Sequence, residues 1–222
     1  MPSSVSIVIP TLDEEGNIAR LLFSINKEIN AAKPEIIVVD GHSSDKTVKI
    51  AKANGAKVYY DSHGKGSALI KGISESKGRI VVFMDADLSH RPAELKRLIS
   101  AIESGYDVCM GSRFLGVGGS DDISFIRRMG NYFFIWLINS IYGSKYTDIC
   151  YGYRSFSRNA LEKLNLTEIN FGIETEISIK AKKMGLKVLE IPSFERKRHA
   201  GVGKLMALRD GLIILSVILK NI

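Results

Sequence analysis

Five short apolar runs constrain this chain more than anything else in it. They are Val5 to Ile9, Glu35 to Val39, Lys57 to Tyr60, Arg79 to Met84 and Asp107 to Met110, and a stretch with helical apolar spacing separates each from the next. The intervening stretches are Glu14 to Ile29, where Ile18, Leu21, Leu22 and Ile25 share a face, then Lys46 to Asn54, Lys65 to Ser76 and Pro92 to Ser104. Ser44 or Asp45 is positioned to cap the second of these helices. The alternation predicts an α/β fold with a mostly parallel sheet and helices on both faces. Ligands on such sheets bind beyond the carboxyl ends of the strands. Pro10-Thr11, Asp40 and Asp85 follow three of the runs, so they are expected on one sheet edge.

The second half is less regular. Residues 116–122 form a Gly-rich loop, and Phe125 to Tyr142 reads as a strongly apolar helix carrying most of the aromatics. Glu174 to Met184 reads as a helix, Leu186 to Ile191 as a strand, and the tail from Leu205 as a helix with a very apolar end. No repeat or linker interrupts the 222 residues, which are enough for one domain with a sizeable core. Two cysteines, Cys109 and Cys150, argue against a disulfide framework and for a reducing compartment. No signal peptide is expected, and the longest apolar runs fall short of the about 20 residues that cross a bilayer. The net charge of +7 suits phosphorylated substrates, anionic headgroups or nucleic acid alike. Its basic residues are dispersed, with no nucleic-acid-binding motif, so no nucleic-acid partner is expected.

The sharpest chemical feature is Asp85-Ala86-Asp87, just beyond an apolar strand. Two carboxylates held this close repel unless a cation lies between them, and hard oxygen ligands suit Mg²⁺ or Mn²⁺ carrying substrate phosphates. A solvated turn is the plainer alternative for so short a pattern. Lys65, in the Gly-flanked segment His63 to Ser67, and the backbone around it are candidates to meet a phosphate.

In this setting the chain resembles the family-2 glycosyltransferases of GT-A fold, most closely the dolichyl-phosphate mannose synthase and undecaprenyl-phosphate sugar transferase group. Five segments in order carry the resemblance: Ile9 to Glu14 (IPTLDE), Val38 to Asp45 (VVDGHSSD), Asp85 to His90 (DADLSH), Asp148 to Arg154 (DICYGYR), and Pro192 to Lys204 with Arg198, Gly201 and Lys204. It implies a single domain over 1–222, with residues 1–110 binding the nucleotide sugar and 111–222 the acceptor. Pro10, Thr11, Asp13, Glu14, Lys65, Asp85 and Ala86 would line the donor pocket, Asp40 would contact base or ribose, and Asp85 and Asp87 would hold the metal. Arg198 and Lys204 would help the metal and Asp87 neutralise the departing diphosphate. Arg113, Arg127 and Arg128 would receive an acceptor phosphate, with Asp148 and Arg154 on the acceptor side; a planar guanidinium suits that task. For Arg127-Arg128 an ordinary basic helix start is the alternative, and for Arg198 a solvated basic run.

The implied reaction is inverting transfer of a hexose from a nucleotide diphosphate sugar, of GDP-mannose or UDP-glucose type, to a polyprenyl phosphate. Departures from the pattern, Gly41-His42 and Ser89 among them, leave the base open. A saccharide hydroxyl acceptor is the alternative; it would need a general base, for which Glu174 and Glu176 are candidates. A nucleotidyltransferase is a third reading. The helices at 125–142 and 205–220 are candidates for peripheral contact with the cytoplasmic face of a membrane, or for a dimer or membrane-protein contact.

Overall fold

The structure, a computed structural model, describes residues 4–29, 33–201 and 206–222. Seven strands form one sheet in the order β3-β2-β1-β4-β7-β5-β8. Their ranges are β1 Val5–Thr11, β2 Glu35–Asp40, β3 Lys57–Tyr60, β4 Ile80–Phe83, β5 Val108–Ser112, β7 Arg154–Ser157 and β8 Val188–Pro192. A separate two-stranded pair joins β6 Gly119–Ser120 to β9 Phe194–Glu195. The helices are α1 Ile18–Ile29, α2 Thr47–Ala53, α3 Lys65–Glu75, α4 Leu95–Glu103 after a 3₁₀ turn at Pro92–Glu94, α5 Phe125–Tyr142, α6 Arg158–Leu164, α7 Ile173–Lys183 and α8 Ala207–Lys220.

The central strands read as unbroken apolar runs because both faces are covered. Along β1, Val5, Ile7 and Ile9 pack into one core with Leu21, Leu22 and Ile25 of α1 and Leu95 and Leu98 of α4. Val8 points into the other, with Leu69 of α3, Ile135 and Ile138 of α5, and Ile173 and Ile177 of α7. α3 crosses this second face so closely that a Cβ on Gly72 would come within 2.2 Å of Val8 Cγ1.

The parallel sheet expected from the sequence is present, with one exception. β7 runs antiparallel to both neighbours, β4 and β5. Its register pairs Arg154 with Phe83 and Met110, near the carboxyl ends of those strands. The chain therefore enters β7 at the edge where its parallel neighbours finish, which brings 148–153 there too. The helix expected from Glu14 begins instead at Ile18. The preceding turn is held by the loop after β2, where the Thr47 hydroxyl accepts the Glu14 N–H (2.7 Å) and Asp45 accepts the Glu15 N–H (3.0 Å). The cap position of α2 falls on Lys46 and not on Ser44 or Asp45, although Asp45 accepts from the Thr47 N–H at the start of the helix (2.8 Å).

Gly66, in the first turn of α3, lies against the 168–170 loop. A Cβ there would stand 2.1 Å from the Glu168 carbonyl oxygen and 2.7 Å from the Ile169 carbonyl carbon, both backbone atoms. Overpacking of this kind costs about 1–3 kcal/mol. Gly66→Ala is therefore expected to lower Tm by roughly 2–12 °C, as read by calorimetry; an unchanged Tm would show that the loop yields freely.

Candidate active site

Two cavities meet at the carboxyl edge of the sheet. The first, about 350 Å³, is bounded by Pro10, Thr11 and Leu12 of β1 and its exit, by Gly41 and Asp61 beyond β2 and β3, and by Asp85 and Asp87 beyond β4. The second, about 610 Å³, has a polar floor and walls from α5 and α8, among them Ile126, Phe133, Leu212 and Leu215. Lys65, Asp85, Arg127, Phe171 and Glu195 face both.

The loop after β4 is held from several sides. The Asp85 N–H donates to His90 Nδ1 (3.1 Å), and the His90 ring lies flat on Tyr153 and edge-on to Tyr151. Leu88 takes a left-handed backbone conformation (φ 65°), turning the chain so that the Ser89 N–H reaches Asp87 Oδ1 at 2.9 Å. The segment after β9 is laid along this loop by Arg196 N–H to Ser89 O and His199 N–H to Asp87 O. That placement brings Arg198 between Asp87 (3.1 Å) and Glu14 (2.8 Å).

Each acid of the pair has a protein cation beside it. Lys65 Nζ lies 2.8 Å from Asp85 Oδ1 and 2.9 Å from Glu174 Oε1. Burial opposes ionisation of Asp85, but Lys65, and after it His90 and Arg198, more than offset this and hold its carboxyl at about 2. Burial likewise disfavours the Lys65 ammonium, and the two carboxylates outweigh it, raising its pKa. No group of three or more His, Cys, Asp or Glu side chains able to hold a metal occurs among the described residues. Two carboxylates on the wall of an open cavity do not suit a closed structural cage. They do suit Mg²⁺ or Mn²⁺ taking protein oxygens on one side and substrate phosphate and water on the other.

The other sequence candidates separate clearly. Pro10, Thr11, Glu14, Lys65, Ala86 and Arg198 line the first cavity. Asp13 is exposed and spent on the neighbouring loop, accepting from the Ser44 N–H at 2.8 Å. Asp40 is fully buried and accepts from the Thr11 hydroxyl and from the Ser43 N–H and hydroxyl; it shapes the loop without lining the cavity. Arg127 faces both cavities, whereas its neighbour Arg128 is exposed and lines neither. Lys204 lies outside the described residues.

Arg113, expected to meet an acceptor phosphate, lines the second cavity, with its guanidinium also held by internal partners. Its guanidinium grips Asp148 bidentately (2.7 and 3.1 Å), reaches Glu195 at 3.2 Å, and lies over the Tyr151 ring. Asp148 is fully buried in that contact and does not line the second cavity. Arg154 is equally enclosed. It donates to the carbonyls of Ile149, Tyr151 and Glu174 and to the Ser178 hydroxyl, pinning the loop before β7 onto α7. Of the two candidate bases, Glu174 faces the second cavity. Glu176 is turned away, clasping the N–H groups of Thr167 and Glu168 and the Lys180 ammonium.

Sequence reasoning missed Asp61, Phe171 and Glu195. Asp61 directly follows an apolar run, as Asp40 and Asp85 do in the sequence, and that position was the available signal. Glu195 comes from a two-residue strand, too short to show any periodicity.

Residues 6–165 match the family model described as glycosyl transferase family 2. Glycosyltransferase AglJ of Haloferax volcanii is 31% identical over 96% of this chain and 70% of its own length. A dolichol-phosphate mannosyltransferase of Pyrococcus furiosus is 34% identical over 90% of this chain, which spans only 59% of that protein's length. Among solved structures, glucosyl-3-phosphoglycerate synthase from Mycobacterium tuberculosis, crystallised with Mn²⁺, UDP and phosphoglyceric acid, superposes with a TM-score of 0.79 at 21% identity. The match covers 99% of this chain and 78% of that one. At that identity the likeness is one of fold, the GT-A-like α/β architecture.

Proposed function

The chain belongs to glycosyl transferase family 2, and from that premise we propose that it moves a hexose from a nucleotide diphosphate sugar to a polyprenyl phosphate, with inversion at the anomeric carbon. One observation carries this reading: a cavity edged by paired acids opens, across Lys65, Asp85 and Arg127, into a larger one walled by apolar helices. The names of the relatives, which include a polyprenol monophosphomannose synthase of Mycolicibacterium smegmatis, agree with such an acceptor.

In this reading residues 1–110 hold the donor and 111–222 the acceptor. Asp85 and Asp87 would hold Mg²⁺ or Mn²⁺, which when bound neutralises charge on the departing diphosphate. Lys65 and Arg198, already beside those acids, supply positive charge to the same oxygens as the bond from the anomeric carbon breaks. The acceptor phosphate, with a second pKa of about 6, is already largely dianionic at neutral pH and needs orientation, not deprotonation. Arg127 provides that orientation, and the walls from α5 and α8 take the prenyl chain. A saccharide hydroxyl would instead need a base, and Glu174, the candidate base that faces the second cavity, is ion-paired to Lys65.

No helix among the described residues is long and apolar enough to cross a membrane. α5 exposes Phe125, Ile126, Phe133 and Trp136, and α8 exposes Leu208, Leu212 and Leu219. Such faces beside basic side chains suit a peripheral position in the headgroup layer, where a lipid acceptor is presented.

The test is a panel of radiolabelled nucleotide sugars with Mn²⁺, with and without polyprenyl phosphate. Transfer to the lipid with release of nucleoside diphosphate is expected. Release of diphosphate would mean nucleotidyl transfer, and equal turnover with a soluble saccharide in place of the lipid would remove the acceptor assignment. Within that assay Arg127→Ala is expected to raise KM for the lipid phosphate about 10- to 100-fold, the loss of a charge-assisted hydrogen bond. Arg128→Ala is expected to change it less than about threefold, as an exposed residue outside both cavities. The reverse ranking would overturn the assignment of Arg127.

A further inference from the structure

Asp40, at the end of β2, is where the family resemblance would have a carboxylate meet the base or ribose. Here its oxygens are fully buried and taken by Thr11 and Ser43. A different carboxylate faces the cavity at that end. Asp61 follows β3, its backbone N–H donates to the Asp40 carbonyl oxygen (3.0 Å), and it lines the donor cavity.

The Asp61 carboxylate is fixed but not exhausted. Oδ1 accepts the His63 N–H at 2.9 Å and Oδ2 accepts the Ser67 hydroxyl at 3.0 Å. His63 Nδ1 also stands 3.4 Å from Oδ1, on a side chain that is 76% exposed and free to turn away. One hydrogen bond at each oxygen sets the plane of the group, and a carboxylate oxygen can accept more than one. The Asp61 side chain keeps 17% of its surface exposed.

The order β3-β2-β1-β4 acts as a ruler. From the acids beyond β4 to Asp61 beyond β3 is three strand spacings, about 14 Å. That is the reach of an extended nucleoside diphosphate from its terminal phosphate to the far edge of its base. A diphosphate at Asp85 and Asp87 thus leaves the ribose over β1 and puts the base edge at Asp61.

We infer that Asp61 reads the nucleobase, and that it selects a guanine nucleoside diphosphate. Guanine offers two adjacent N–H donors on one edge, which an ionised carboxylate accepts as a parallel pair. Uracil offers a single N–H between two carbonyl oxygens, and a carboxylate facing that edge repels both. The inference rests on the donor reading above and narrows it to one base.

The experiment is calorimetric titration of the protein with GDP and with UDP at one Mg²⁺ concentration. The wild type is expected to bind GDP at least about 10-fold more tightly than UDP, and Asp61→Ala to weaken GDP about 10- to 100-fold while moving UDP less than about threefold. Ser67→Ala, which removes one neighbour and keeps the carboxylate, is expected to preserve the ratio. Equal affinity, or a preference for UDP, in the wild type overturns the inference without needing any variant. So does a parallel loss of both nucleotides in Asp61→Ala, the signature of a contact to ribose or of a disturbed loop. If the wild type binds neither nucleotide, the donor reading itself falls and this inference with it.

Discussion

Asp87→Ala is expected to lower kcat/KM for sugar transfer about 10²- to 10⁴-fold, and to remove the response to Mn²⁺ along with it. The magnitude follows from what the side chain is asked to do. A cation that stabilises departing charge is worth several kcal/mol of barrier, and each 1.36 kcal/mol is a factor of ten in rate. Asp87 also accepts the Ser89 N–H and steadies Arg198, so truncation disturbs the loop as well as the charge. Asp87→Asn separates the two effects, since an amide oxygen still accepts from Ser89 while the negative charge is gone. Comparable losses in both variants, with Mn²⁺ titrations flattened in each, would assign the effect to charge. Full activity of Asp87→Ala in the presence of a chelator would remove the metal from the mechanism.

The second large effect is on stability. Removing one member of a buried ion pair leaves the other charged and unpaired, at a cost of about 3–5 kcal/mol. Asp148→Ala would strand Arg113 with Glu195 alone and leave the Asn131 amide and the Cys150 N–H without their acceptor. For a chain of this size the expected fall in Tm is roughly 6–20 °C. The pair also fixes a sign for the pH dependence. Burial pushes the Asp148 carboxyl up, but Arg113 outweighs it and holds the group below its ordinary 3.8. A depressed carboxylate contributes its stability in full above the ordinary value and loses it as pH falls through the lower folded one. The wild type should therefore weaken below about pH 4 by more than Asp148→Ala does. A variant melting within a degree of the wild type, with the same acid limb, would show that the pair contributes nothing net.

Much of the scaffold was legible in the sequence because apolar runs and helical spacing alternate with few interruptions. α5 falls on the expected Phe125 to Tyr142, and the acid pair falls past the end of β4. What escaped detection has physical causes. β7 has four residues, and its first is an arginine, a residue that buried strands seldom carry. Arg154 is tolerated because each of its three guanidinium nitrogens donates to a carbonyl or a hydroxyl, and only coordinates reveal that. Residue type alone likewise says nothing of the internal partners that Arg113 and Asp40 have. A guanidinium or carboxylate near a strand end reads as a ligand group until its internal partners are known. Arg127 and Arg128 are adjacent and identical in type, and only helix phase distinguishes the one facing the cavities.

The reversed strand has a consequence for how such a chain diversifies. Parallel strands deliver their loops to one edge only at their carboxyl ends, and β1 to β4 have used those exits for the first cavity. By entering the sheet backwards, β7 delivers the segment before it to that same rim from a separate stretch of polypeptide. The second cavity thus gains Cys150, Tyr151 and Gly152 from a stretch of sequence that the first cavity does not use. On the proposed division of the site, changes confined to 150–152 and the facing helices would alter the second cavity while the walls of the first from β1 to β4 stay as they were.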